Sequence, residues 1–163
     1  MTWMIEKHGN QYIIRATGSS CGGLCNAELS WDGATNHPMA SVEFNDRVYW
    51  TFMECTLDGM SGFHIVNQHS RYTGWQLSWD GRGNSHPYVS VEAINSDPVC
   101  WIVTPVDIPV DTFADIYNQI KNHPVRIRSQ HPGKWKDAQL TWDTLKPGVH
   151  ARATIQHDDP YVN

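Results

Sequence analysis

The sequence predicts an all-β domain built from three copies of one four-stranded unit. Three observations predict it. Leu-Ser/Thr-Trp-Asp occurs at Leu29–Asp32, Leu77–Asp80 and Leu140–Asp143. A histidine follows each copy, His37, His86 and His150, and six residues after each histidine comes Glu43, Glu92 or Gln156. A tryptophan opens three further short runs, Trp3 to Ile5, Trp50 to Phe52 and Trp101 to Val103, each apolar again two residues on. A multi-part pattern recurring in fixed order marks a repeat architecture, each copy being one supersecondary unit.

In chain order, each tryptophan run reads as a strand. After a loop comes a second strand, Tyr12–Arg15, Phe63–Val66 or Val125–Arg128, whose period of two marks a half-buried surface. A hairpin then follows. The clearest is Gln76 to Glu92, where strand-like runs 75–79 and 88–94 flank the turn formers Asp80 to Pro87. Residues 28–43 repeat it, and 139–156 repeat it more faintly. Counted from the tryptophan strands, the repeats are 3–49, 50–100 and 101–163 within a single domain, 1–163. The third ends with no tryptophan strand after it, so Trp3 to Ile5 is expected to complete it, tie the termini together and remove an exposed sheet edge. One segment departs from the pattern. Phe113, Ile116, Tyr117 and Ile120 fall at helical spacing between Asp111, a good N-cap, and Pro124. This predicts one amphipathic helix over about 111–122, inserted between repeats two and three. Its apolar stripe is expected on the side of the barrel, with an oligomer contact as the other option.

With 40% hydrophobic and 18% charged residues, the chain is globular rather than disordered. A net charge of −5 without a basic run argues against nucleic acid and anionic membrane as partners. No apolar run is long enough to span a bilayer, and the first residues lack a signal-peptide core, so the expected location is cytoplasmic, or outside after release without a signal peptide. Cys21, Cys25, Cys55 and Cys100 read as four plain thiols made in a reducing compartment.

Strand parity sends Leu29 and Trp31 to one face of the first hairpin and Ser30 and Asp32 to the other, with Val42 inward and Ser41 and Glu43 outward. Asp32, His37 and Glu43 are then expected to cluster near the outer face or tip. Asp80, His86 and Glu92 do so in the second hairpin, and Asp143, His150 and Gln156 in the third. Copies one and two also share Asn36/Asn84 and a His-Pro step, and Tyr88 follows the second. Such groups hydrogen-bond sugar hydroxyls well, although Asp before Gly also caps its own turn. In the loops before the hairpins, Gln68-His69 matches Gln130-His131. Arg71, Tyr72 and Trp75 follow the first, Lys134 and Trp135 the second. An aromatic face there can stack on a pyranose. Trp135, between Lys134 and Lys136, is the better candidate, because Trp75 alternates with Leu77 and Trp79 as core residues do. No nucleophile with a base, no phosphate-binding glycine loop and no zinc or calcium pattern is present. The expectation is therefore a binding protein without catalytic residues, cofactor or metal. Three equivalent sites favour multivalent binding, since a catalytic centre is normally built once.

Twelve strands in three units resemble the β-trefoil, in which six strands form a barrel and three hairpins cap one end. A three-bladed propeller is the competing geometry, though propellers typically carry four to eight blades. Over nearly its full length the chain resembles the β-trefoil lectins, the ricin-B-like group in the broad sense. The resemblance lies in architecture: the Gln-x-Trp of that group is absent, with Met1, Val48 and Val99 standing two residues before the tryptophans. It implies a carbohydrate-binding protein with up to three equivalent glycan sites, galactose-type sugars first, agglutination of glycan-bearing cells, and a homodimer as an open option. Two other classes stay open. One is a β-trefoil protease inhibitor acting through a single loop, for which 104–124 is the candidate. The other is a structural or cytokine-like interaction module.

Overall fold

The structure is a computed structural model and describes residues 2–19, 21–32, 39–44, 47–57, 59–69, 73–79, 89–92, 99–104, 113–130, 136–142 and 150–156. The strands are β1 (Thr2–His8), β2 (Gln11–Thr17), β3 (Glu28–Asp32), β4 (Met39–Glu43), β5 (Trp50–Leu57), β6 (Met60–Asn67), β7 (Gln76–Trp79), β8 (Val89–Glu92), β9 (Trp101–Thr104), β10 (Arg126–Ser129), β11 (Gln139–Trp142) and β12 (His150–Gln156). One helix, α1 (Phe113–Ile120), stands between β9 and β10. The architecture is all-β, as the alternating runs predict.

All strand pairs are antiparallel and form one nearly closed, barrel-like sheet. Long pairings join β1 to β2, β5 to β6 and β9 to β10. Single residue pairs link them: Tyr12 with Trp50, Phe63 with Trp101 and, returning to the first strand, Trp3 with Val125. Three hairpins, β3–β4, β7–β8 and β11–β12, branch from this ring at Arg15/Glu28, Val66/Gln76 and Arg128/Gln139. The first hairpin also touches the others, β4 pairing with both β12 and β8.

The tryptophans explain why these runs fold as they do. Trp3, Trp50 and Trp101 are fully buried. Burying one indole removes on the order of 200 Å² from water, roughly 5 kcal/mol of hydrophobic driving force as an upper bound. Each indole N–H needs an acceptor once buried. Each finds the leucine carbonyl of a hairpin: Trp50 Nε1 donates to Leu29 O at 3.0 Å, Trp101 to Leu77 O at 3.1 Å and Trp3 to Leu140 O at 2.9 Å. The last bond, with the reciprocal 2.8 Å backbone bonds between Trp3 and Val125, attaches the first strand to the third unit. That is the predicted tie between the two ends of the chain.

The predicted helix is present over Phe113–Ile120, Asp111 and Thr112 lying outside the described residues, and at its C-terminal end it stops where Asn122 turns left-handed at φ 64° and the His123 amide bonds Ile120 O at 2.9 Å. Phe113, Ile116, Tyr117 and Ile120 are all buried. Phe113 stacks on Phe52 of β5 with centroids 3.7 Å apart and meets Tyr12 and Phe63 edge-on. The Lys7 amide donates to the Tyr117 hydroxyl at 3.1 Å. The stripe therefore covers the protein's own barrel.

The cysteines correct the reading of four thiols. Cys21 is bonded to Cys25 and Cys55 to Cys100, and no cysteine is free. The Cα separations, 4.9 and 6.1 Å, lie in the range a disulfide requires. Spacing along the chain cannot reveal the second bond, because it depends on β6 lying beside β9. That adjacency places Cys100 over Gly62, the partner of Cys55 across the β5–β6 pair. A Cβ on Gly62 would stand 2.8 Å from Cys100 Sγ and 2.6 Å from Trp101 O, so the position requires glycine. With both pairs closed, cysteine usage no longer argues for a reducing compartment.

Candidate functional site

The described part of the site begins with the first hairpin. Cross-strand pairs share a face, so Leu29/Val42 and Trp31/Ala40 form one side, and Glu28/Glu43 and Ser30/Ser41 the other. The first side is core, as parity predicts. The second is not outward: Ser30, Ser41, Glu28 and Glu43 are buried, as are Ser78 and Thr141 in the other hairpins. β4 pairs with β12 and β8 as well as with β3, so the first hairpin lies against both of the others.

This changes the place of Glu43. It stands at the base of the hairpin opposite Glu28 and accepts a 2.6 Å hydrogen bond from the Ser41 hydroxyl. Asp32 ends the partner strand four residues from Glu28, roughly 13 Å along β3. The third hairpin separates its pair further: His150 opens β12 and Gln156 closes it, six residues and roughly 20 Å apart. Glu92 and Gln156 pair with Gln76 and Gln139 as Glu43 pairs with Glu28. The acid or amide of each expected triad is thus a base position. His150 of the third hairpin lies across from Glu43 of the first, joining two sets expected to be separate. Asn36, His37, Asp80, Asn84, His86, Tyr88, Trp135 and Asp143 lie outside the described residues. Trp75 packs partly buried against the core, as its alternation predicts.

Two carboxylates facing each other at a buried base need cations. Arg47 supplies a bidentate pair to Glu28, Nε to Oε1 and Nη2 to Oε2, both at 3.0 Å. Arg15 approaches the same carboxylate at 3.5 Å while holding Glu6 at 2.9 Å, and His8 lies 3.1 Å from Glu6. The hydrogen bond from Arg15 holds the Glu6 carboxyl below its ordinary range, and the bonds to Glu28 push the Arg47 guanidinium further above its own. Nothing in the local sequence around Asn45-Asp46-Arg47 signals this role, because Arg47 reaches back across nineteen residues.

A second feature that the sequence does not reveal joins the first hairpin to the second unit. The Trp31 indole N–H donates to Asn67 Oδ1 at 3.2 Å, and the same oxygen accepts from the His69 amide at 2.9 Å. Asn67 is fully buried, His69 is exposed, and the His69 ring meets Trp31 edge-on at 4.9 Å. The Thr73 hydroxyl donates to the His69 carbonyl at 2.7 Å and the Gly74 amide to Asn67 O at 2.9 Å, which closes the loop. Matching backbone bonds put Ala16 and Ser129 in the position of Asn67: Ala16, Asn67 and Ser129 bond the carbonyls of Ala27, Trp75 and Ala138, and accept from Asn26, Gly74 and Asp137. The last three all have positive φ, 70°, 88° and 66°. Asparagine, glycine and aspartate are the residues that tolerate that region, so these turns share one chemistry although the residue differs each time.

Among the described residues no group of three or more His, Cys, Asp or Glu is arranged to hold a metal ion, and no helix is long and apolar enough to cross a membrane. No family model, no curated protein and no solved structure matches the chain.

Proposed function

We propose that the chain is a β-trefoil lectin, binding glycans at up to three places on one rigid body. Support for the trefoil comes from the ring of six strands with three hairpins attached, and from three tryptophans that each hold a hairpin by its leucine carbonyl. The observation that carries the lectin reading is that this one device presents three hairpins whose connecting segments bear the same Asp and His. The ligand groups are Asp32, Asn36 and His37 in the first, Asp80, Asn84, His86 and Tyr88 in the second, and Asp143 and His150 in the third, with Trp135 as a stacking face. Glu43 leaves this set, being buried and bonded at the hairpin base, and Glu92 and Gln156 leave it by their register. The ligand is a hexose of galactose type, bound without metal and without catalysis, and several weak sites gain avidity on a glycan-bearing surface.

The single-loop inhibitor reading is less well supported, since Phe113 to Ile120 of its candidate loop packs on the barrel. A glycan array against a panel of protease assays separates the two. On the lectin reading the array lights up, free sugar blocks agglutination, and the Asp80→Ala/His86→Ala variant titrates one site fewer with an almost unchanged melting curve. Full stoichiometry in that variant, or its unfolding, makes these residues turn structure and sinks the assignment.

A further inference from the structure

We infer that Cys21–Cys25 is a reversible thiol-exchange site, opened by a dithiol reductant that attacks Cys25, while Cys55–Cys100 stays closed. The inference stands apart from the glycan reading. Of the four cysteines Cys25 alone is exposed; Cys55 is half-buried, and Cys21 and Cys100 are buried. Exchange requires a thiolate to reach one sulfur of the bond, so access decides which disulfide reacts and at which end. Around Cys25 the approach is open. Gly22 and Gly23 are exposed, and a Cβ built on either meets nothing within 4 Å. Around Cys100 it is closed, because a Cβ on Gly62 would stand 2.8 Å from its Sγ.

The fold does not need the shorter bond. Its loop ends in the turn common to the three units, where the Ala16 backbone bonds Ala27 and Asn26 as that of Asn67 bonds Trp75 and Gly74, and that of Ser129 bonds Ala138 and Asp137. The second and third units build that turn with no cysteine in 67–75 or 129–138. In the first, the Leu24 amide also donates to Cys21 O and the Ala27 amide to Leu24 O, both at 2.9 Å, and Leu24 is buried in the core. These bonds keep the two cysteines close whether or not sulfur joins them. Cys21 Sγ lies 2.9 Å from Gly18 O, which accepts from the Cys21 thiol once the disulfide opens. In that opening a reductant thiolate bonds to Cys25 Sγ, the Cys21–Cys25 bond breaks, and its electron pair leaves on Cys21, which takes a proton from water. The second thiol of the reductant loses its proton, attacks the reductant's own sulfur in the mixed disulfide and frees Cys25, which is protonated in turn. The protein disulfide gains two electrons, and the dithiol is oxidised to its own disulfide.

The test titrates dithiothreitol into the folded whole protein, traps free thiols with iodoacetamide and locates the label by peptide mass spectrometry. Cys21 and Cys25 should gain the label at concentrations that leave Cys55 and Cys100 unlabelled and the melting curve almost unmoved. Oxidised glutathione added to the reduced, unlabelled protein should restore the bond. Protection of Cys21 and Cys25, labelling of all four together, or a bond that does not reform overturns the inference. The attacked sulfur is read from single variants. In Cys21→Ser the serine hydroxyl meets the same Gly18 carbonyl, and Cys25 should take one glutathione from oxidised glutathione; in Cys25→Ser the buried Cys21 should take none. Equal uptake by the two overturns the assignment of Cys25, and the wild-type labelling decides the site even where a variant fails to fold.

Discussion

Two sets of tryptophans are treated differently by the same fold. Trp3, Trp50 and Trp101 are all buried and all donate to a leucine carbonyl, with lengths of 2.9, 3.0 and 3.1 Å. Trp31 and Trp142 hold the same place in the Leu-Ser/Thr-Trp motif and are likewise buried, yet Trp31 donates to Asn67 while Trp142 Nε1 has no partner among the described residues. A backbone carbonyl is present whatever the residue, so a bond to it recurs wherever the chain path recurs. A side-chain acceptor exists only where it is encoded. The three tryptophan bonds to leucine carbonyls thus match, while Trp31 and Trp142 differ in what their indoles meet.

The sharpest way to break this comparison is to remove the frame tryptophans one at a time. Trp3→Ala, Trp50→Ala and Trp101→Ala should each cost about 3–5 kcal/mol, a large share of the 5–15 kcal/mol typical of a domain. Urea denaturation should give three similar losses. One variant near wild-type stability shows that the three bonds are not one device.

The disulfides give the next largest effect. Cys55–Cys100 spans 45 residues and fastens β5 to the residue just before β9, whereas Cys21–Cys25 spans four within one loop. On the loop-entropy model the two are worth about 4 and about 2 kcal/mol. Replacing Cys55 and Cys100 by Ala should therefore lower the unfolding free energy by roughly twice as much as replacing Cys21 and Cys25. Equal losses in urea melts show that the longer bond adds nothing to the frame.

A smaller difference tests the individual contacts. Trp31→Phe removes a donor from Asn67, whereas Trp142→Phe removes a buried N–H that has no acceptor among the described residues. Both changes lose volume, so only their difference matters. Trp31→Phe should be the worse by about 1 kcal/mol, the net worth of one hydrogen bond. Equal costs mean the Trp31–Asn67 bond does not hold the first hairpin.

How much was legible in the sequence follows the same division. The repeated Leu-Ser/Thr-Trp-Asp and the three tryptophan runs are local patterns, and they gave twelve strands in order and the tie of Trp3 to the third unit. The stripe Phe113, Ile116, Tyr117, Ile120 gave the helix and its buried side. Both disulfides were missed, the longer one because it depends on strands adjacent only in space. The second face of the hairpins was misread because period-two alternation assumes a sheet with one wet side, whereas Glu28, Ser30, Ser41 and Glu43 on that face are buried too. For the site, the sequence grouped Glu43 with Asp32, and register along the strands places them at opposite ends of the hairpin. Asn67 ends the strand that carries the run Phe63-His-Ile-Val, and a polar residue directly after Ile65-Val66 is the one clue to its buried role.

The last prediction concerns the base of the first hairpin, where Glu28 stands in the position held by Gln76 and Gln139 in the others. Its cations tie it to Glu6 through Arg15. The Glu6 carboxyl is held below its ordinary 4.5 chiefly by the Arg15 hydrogen bond. A carboxyl lowered in the folded state contributes stability that is fully present above its unfolded value and is lost as pH falls through the folded one. Acid below about pH 4.5 should therefore weaken this corner, and Glu6→Gln should flatten that part of the stability profile. The Glu6 side chain is 45% exposed, so the effect is small and added salt should reduce it further. Melting curves between pH 3 and 7, at low and high salt, provide the measurement. A Glu6→Gln profile that tracks the wild type at low salt means that Arg15 is held by Glu28 and the Asn26 carbonyl without help from Glu6, and the link from β1 to the hairpin base carries no stability.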